Sequence, residues 1–174
     1  MITVKADGIE AVMAKFKSYS VEAQADIQAA INDWADRTAR DAKQLVSANS
    51  SNEGMLLNSI HPDYGTGSAS VVASAKYAAY IEFGTRKYAA NYVGSLPGDW
   101  ASYANTFKGR TGGSFKDMLL NIMQWCKSKG IDRKAAYPIA ISILRNGIRP
   151  RPFLYPSVNK NLPLLMQDIK AIFK

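Results

Sequence analysis

The feature that most constrains this chain is one long apolar stripe. Ile27, Ile31, Trp34, Thr38, Ala42 and Leu45 step by three or four residues, while Asp26, Asp33, Asp36, Arg37, Arg40 and Lys43 fill the other faces. That spacing follows one side of an α-helix and matches no strand period. It predicts a helix over residues 21–48, with Ser20 as its cap and Ala23 where a capping box would carry Glu. At the usual rise such a helix is ~40 Å long. In a chain of 174 residues it has to act as a spine, because its apolar face is buried only if other elements or other subunits lie along it.

The remaining segments are shorter. Met1–Lys5 alternates weakly and predicts a short edge strand, and Ile9, Val12, Met13 and Phe16 predict a first helix after Asp7-Gly8. Beyond the turn-rich stretch 49–54 the period changes to two. Leu57, Ser59, His61 and Asp63 share one face, and Leu56, Asn58 and Ile60 the other. Gly65-Thr66-Gly67-Ser68 reads as a turn and Ala69–Ala75 as the partner strand of a hairpin. Two strands alone are marginal in water, so the hairpin has to lie on helices or extend a sheet across subunits. Tyr77–Phe83 returns to a helical period, closed by Gly84.

From Gly84 to Gly113 there is little periodicity. The stretch is rich in aromatics, which disfavours a solvated linker, and it reads as a long loop that a neighbour orders. Ser114 caps the next helix, whose stripe is Phe115, Met118, Leu119, Ile122, Trp125 and Cys126, and Gly130 ends it. Asp132 caps a further helical segment that buries Ile139, Ile143 and Leu144. Pro138 marks a kink or a fresh start there, and Gly147 is the stop. Ile148–Pro156 holds three prolines and is expected to be extended. A last helix carries Val158, Leu162, Leu165, Ile169 and Ile172. The fold class is therefore α+β, a long N-terminal helix packed on a small antiparallel sheet or hairpin, with additional C-terminal helices.

Charge is distributed unevenly. Of the net +8, residues 1–85 carry −3, residues 86–151 carry +9 and residues 152–174 carry +2. A local basic segment can meet DNA, an acidic protein or an acidic face of its own copies. Cys126 is the single cysteine, so no intramolecular disulfide and no cysteine-based metal cluster is possible within one chain. No apolar core of signal-peptide length opens the chain, and no run of about 18 apolar residues predicts a membrane span. The expected site of synthesis and residence is the cytoplasm, or a particle assembled there.

No constellation for catalysis emerges. His61 is the only histidine and has neither a nucleophile nor an orienting group near it in sequence. Cys126 falls on an apolar stripe beside Trp125, which favours packing over reactivity. Asp33 and Asp36 share a helix face, but Arg37 and Arg40 follow at ion-pairing distance. Glu82 lies between Ile81 and Phe83 and is expected to be held by an arginine, with Arg86 a candidate, or by backbone donors. Gly65–Ser68 and Gly109–Gly113 lack the full phosphate-cradling pattern. No catalytic, cofactor-binding or metal-binding residue is assigned. The basic segment interleaves Lys87, Lys108 and Arg110 with Tyr88, Tyr92, Trp100, Tyr103 and Phe107. Such a mixture suits DNA or acidic-partner contacts, and it equally suits a protein interface.

Two segments combine into a resemblance. Tyr77, Ala78, Tyr80, Ile81, Glu82, Phe83, Gly84 and Thr85 form a Y-A-x-Y-I-E-F-G-T corner, and Pro150, Pro152, Phe153, Leu154, Pro156 and Ser157 form a P-x-P-F-L-x-P-S segment before a closing helix. In this order they resemble the tail-component family of long-tailed bacteriophages, which includes head–tail joining, neck and tail-completion proteins. Short members of that family join the two motifs by a brief loop. The resemblance therefore implies a single domain over 1–174 with an inserted loop-plus-helices segment at about 86–147.

The resemblance also implies a non-enzymatic structural subunit without cofactors. Its implied place is the neck or tail of a virion assembled in the host cytoplasm. There it would form a ring at the head–tail junction, commonly of six copies. Its implied partners are further copies of itself, portal or connector proteins, tail-tube or tail-terminator proteins and the passing DNA, and no membrane. A ring needs two different faces per subunit. Tyr77, Tyr80, Glu82, Phe83, Gly84, Thr85 and Arg86 at the corner, and Arg149, Pro150, Arg151, Pro152 and Phe153, are candidate parts of those faces. Equally, they pack together within one subunit, with Gly84 permitting the turn and Phe83 and Phe153 filling the core beneath it. A tail-terminator or minor tail protein is the nearest alternative, and a basic nucleic-acid-binding accessory protein is the alternative from another class.

Overall fold

The spine is present. In the computed structural model, which describes residues 1–5, 20–49, 53–107 and 114–173, helix α1 runs over Val21–Asn49. The chain divides into two compact units, one made of Met1–Ala78 with Arg151–Lys174 and the other of Ala79–Pro150. The helix expected around Ile9–Phe16 lies outside the described residues.

The first unit is a three-layered arrangement around α1. Strands β1 (Ile2–Lys5), β2 (Ile60–Gly65) and β3 (Ser68–Ala73) form an antiparallel sheet in the order β1-β3-β2. Ile2 and Ile60 both face Ala73 across the ladder. The central strand β3 is buried along nearly its whole length, as its run Ala69–Ala73 requires. On the β2 edge, Pro62 cannot donate to a ladder, a feature that blunts an exposed edge. The hairpin turns at Thr66-Gly67, where Gly67 takes φ +67° and its N–H donates to Gln28 Oε1 on α1.

The predicted first strand begins later than its period suggested. Residues 53–59 form a short helix α2 (Glu53–Ser59), and Leu56, read as a strand residue, is fully buried from that helix. A short apolar run satisfies both periods, and packing against α1 selects the helix.

The C-terminal helix α8 (Leu154–Ile172) packs along α1. It begins at Leu154, so Leu154–Pro156 are helical rather than extended; Pro156 sits in the first turn, where its missing N–H costs nothing. Its buried face is Leu154, Ser157, Val158, Asn161, Leu165 and Ile169, whereas Leu162, expected inside, is exposed. Asn161 replaces it because its amide donates to Asp41 Oδ2 on α1 at 2.7 Å and to Ser157 O at 2.9 Å. Lys160 Nζ reaches the same carboxylate at 3.0 Å. Burial pushes the Asp41 carboxyl up, but the hydrogen bonds from Asn161 and Lys160 and the nearby positive charges outweigh it, so its pKa lies below the usual value. Arg37 bridges Asp33 at 3.1 Å and Asp168 of α8 at 2.6 Å. Asp36, expected to meet Arg40, instead accepts from the Tyr64 hydroxyl at 2.7 Å. Trp34, Ile27, Ile31, Val71, Leu154 and Leu165 are fully buried in this unit.

The second unit is helical. Helices α3 (Ala78–Phe83), α4 (Arg86–Val93), α5 (Gly98–Asn105), α6 (Phe115–Ser128) and α7 (Ala136–Asn146) follow one another, with a 3-10 turn at Arg133–Ala135 before α7. The stretch read as a long loop therefore contains α4 and α5. Its helical signal was sparse but real: Trp100, Tyr103, Ala104 and Phe107 keep the i, i+3, i+4, i+7 spacing. Ser114 caps α6 through a capping box with Asp117, whose N–H donates to Ser114 Oγ at 3.1 Å. Asp132 caps the 3-10 turn by accepting from Lys134 N–H at 2.9 Å. Ile122 and Cys126 of α6 pack with Ala136 and Ala140 of α7, so the lone thiol is a core residue. The overall class is α+β. No helix of the described residues is long and apolar enough to cross a membrane.

Candidate functional site

The corner forms where two helices of the second unit end. α3 closes at Phe83, and Gly84 turns away at φ +72° while donating its N–H to Tyr80 O at 3.0 Å. α7 closes at Asn146, and Gly147, at φ +90°, donates to Ile143 O at 2.9 Å. The segments that leave these ends bond to each other in both directions. Thr85 N–H donates to Ile148 O at 3.0 Å, and Ile148 N–H donates to Thr85 Oγ1 at 2.7 Å. The corner is thus held, by one backbone and one side-chain hydrogen bond, to the residue two positions before Pro150.

That approach leaves no room for side chains on either glycine. A Cβ on Gly84 would sit 2.7 Å from Ile148 O and 2.9 Å from Pro150 Cδ. On Gly147 it would sit 2.0 Å from Thr85 O. Thr85 is the polar pin. Thr85→Val keeps the shape but leaves the half-buried Ile148 N–H without its acceptor, and is expected to cost about 1–3 kcal/mol. Thr85→Ser should recover most of that loss, and urea denaturation of the three proteins checks both.

Phe83 anchors the corner from inside. Its ring is buried and lies 6.1–6.4 Å, centroid to centroid, from Phe107, Tyr103 and Trp100. Tyr103 meets Phe107 edge-on at 5.2 Å. Aromatics that read as a surface for a neighbour therefore pack on one another, each offset or tilted pair adding to simple burial. Arg149 places its guanidinium 5.3 Å from the centre of the Tyr88 ring.

The other candidates are distributed as follows. Tyr80 is half-buried on α3, and Glu82 is fully buried. Arg86, a candidate partner for Glu82, is exposed and makes no salt bridge to it, because it opens α4 at φ +52° and so leaves the face that α3 buries. Lys87 is exposed on α4, while Lys108 and Arg110 lie outside the described residues. Tyr77, Arg151, Pro152 and Phe153 belong to the first unit. The Tyr77 hydroxyl is buried without a hydrogen-bond partner among the described residues, and desolvation raises its pKa. Phe153 is buried immediately before α8. Sequence reading missed the pairing of Thr85 with Ile148; the signal available was two helix-stopping glycines, each followed within two residues by a motif residue.

His61 is exposed, with Nδ1 3.1 Å from Ser59 O. Among the described residues no group of three His, Cys, Asp or Glu is placed to hold a metal ion.

Residues 10–84 match the HK97-gp10-like family, described as "Bacteriophage HK97-gp10, putative tail-component". The matched segment begins upstream of the spine and ends on the corner glycine itself. The match covers less than half of the chain and is consistent with a phage tail or neck component. Comparison of the chain with curated proteins and with solved structures gave no match. The matched segment holds α1, α2, the β2–β3 hairpin and α3, while the proline segment and the helices α4–α7 lie beyond it.

Proposed function

We propose that this chain is a structural subunit of the phage neck, forming a ring of identical copies at the head–tail junction and touching portal or connector proteins on one side and tail-tube or tail-terminator proteins on the other. The observation that carries this reading is the tail-component match over 10–84. The corner at its end supports a scaffolding role. Gly84 and Gly147 turn two helix ends so that Thr85 and Ile148 share one backbone and one side-chain hydrogen bond. On this reading the subunit works by holding neighbours in place rather than by catalysis.

Purified virions test the proposal. Labelled antibody against the chain should decorate the head–tail junction in electron micrographs, and loss of the gene should leave filled heads and tails unjoined. Label along or at the far end of the tail would move the protein to a tail-terminator or minor tail role. Absence of the chain from purified particles would overturn the structural reading.

A further inference from the structure

The second unit carries most of the net charge. Residues 79–150 hold eleven Lys/Arg and four Asp/Glu, a net +7, against +8 for the whole chain. Of its acids, Glu82 is fully buried, while Asp99, Asp117 and Asp132 are exposed, Asp117 in the capping box of α6 and Asp132 capping the turn before α7. The exposed cations outnumber them. Lys127, Lys129, Arg133, Lys134 and Arg145 are all exposed, and none makes a salt bridge among the described residues. The first unit, with eleven cations and ten acids, has its ion pairs Arg37–Asp33, Arg37–Asp168 and Lys160–Asp41.

The basic region has an apolar centre. On α7 the exposed side follows Tyr137, Ile141 and Arg145 at i, i+4, i+8, beside a shallow groove that also takes in Pro138 and Ser142. Tyr137 is 57% exposed, and the partly exposed Phe115 meets it edge-on at 6.0 Å. An aromatic and aliphatic centre rimmed by arginine and lysine has the composition of a protein interface. Nucleic-acid phosphates need the cations but not that centre, and the Phe83–Trp100–Tyr103–Phe107 rings that would stack on bases are occupied with one another.

The first unit offers the complementary face. Glu22, Asp26, Asp33 and Asp36 are exposed on α1, with exposed Ala29 among them. At 100° per residue these four acids fall within about 80° of arc, along ~21 Å of helix. We infer that the α7 face of one copy, with Arg133, Lys134 and Arg145, docks on the acidic stripe of α1 in a second copy. The contact is head-to-tail, the kind that closes a ring when its rotation divides a full turn. It rests on the ring reading above and names the two faces that reading requires. Opposite charges set register and orientation across it, and salt weakens it.

Two oppositely charged variants provide the test. One carries Arg133→Glu, Lys134→Glu and Arg145→Glu, and the other Glu22→Lys and Asp26→Lys; all five positions are exposed and outside the buried core. Sedimentation velocity at low salt is run on wild type, each variant and their equimolar mixture, with circular dichroism confirming the folds. Wild type should assemble. Each variant alone should associate at least about tenfold more weakly, because like charges then face each other. The mixture should regain assembly, since the reversed face of each variant complements the stripe or face of the other at both contacts.

If wild type and both variants assemble equally, the named faces are wrong and the ring reading stands. If wild type stays monomeric up to roughly millimolar concentration, both fail. A monomer that binds duplex DNA at low salt, and loses it on reversal of the three cations, assigns the face to nucleic acid and overturns the proposal.

Discussion

Replacing Gly147 with alanine is expected to remove about 3 kcal/mol or more of folding stability. Gly147 sits at φ +90° and ψ −173°, a region that only glycine populates without strain, and such strain alone costs about 1–3 kcal/mol. Sterics add to it. The new Cβ would lie 2.0 Å from Thr85 O and 2.7 Å from Thr85 C, and backbone atoms cannot rotate aside as a side-chain tip can. Relief requires separating Thr85 from Ile148, which breaks both hydrogen bonds of the corner. Gly98→Ala is the control: its Cβ would meet nothing within 4 Å, and a change within about 0.5 kcal/mol is expected. Urea unfolding followed by tryptophan fluorescence separates the two. A Gly147→Ala protein as stable as the control would mean that the corner is not closed in solution.

The second large effect is at Trp34. Trp34 is the largest fully buried side chain of the first unit, and Trp34→Ala is expected to cost about 3–5 kcal/mol through lost burial and the cavity left behind. Trp34→Phe should behave quite differently. The indole N–H is buried and finds no hydrogen-bond partner among the described residues, a penalty of about 1–3 kcal/mol that phenylalanine removes. That gain offsets much of the lost volume, so Trp34→Phe is expected within about 1 kcal/mol of wild type. Thermal and urea denaturation of both variants check the pair. A phenylalanine variant as damaged as the alanine one would show that the indole nitrogen is satisfied in solution.

Both effects depend on elements that differ in how far sequence foretells them. The spine was legible because helical periodicity repeats over about five turns from Ile27 to Leu45, enough to average out single exceptions such as Leu45, which is only half-buried while neighbouring Val46 is buried. The cap at Ser114 and the stops at Gly84, Gly130 and Gly147 were legible because capping and left-handed backbone depend on one or two residues at known positions. The tail-component corner was legible as a string of residue types, and the family match ends on its glycine.

Short elements were not. Leu56–Ser59 satisfies both a strand and a helix period over four residues, and only packing on α1 decides for helix. α4 and α5 carry eight residues each, too few for periodicity to stand out among glycines and asparagines. The aromatic cluster on Phe83 supplies the burial that holds them, and it joins residues up to 24 positions apart.

By itself, then, the sequence determined the α+β class, the spine and its buried stripe, the helix ends and the location of the positive charge in one segment. Each follows from local spacing or from counting. The tertiary structure alone decided that Asn161 rather than Leu162 faces α1, that the two glycine stops meet through Thr85 and Ile148, and that α7 leaves Tyr137 and Arg145 exposed on one face. Those outcomes depend on which distant backbone and side-chain groups come within hydrogen-bonding or van der Waals distance. No local pattern encodes such meetings, because the partners are separated by 63 residues at the corner and 120 between α1 and α8.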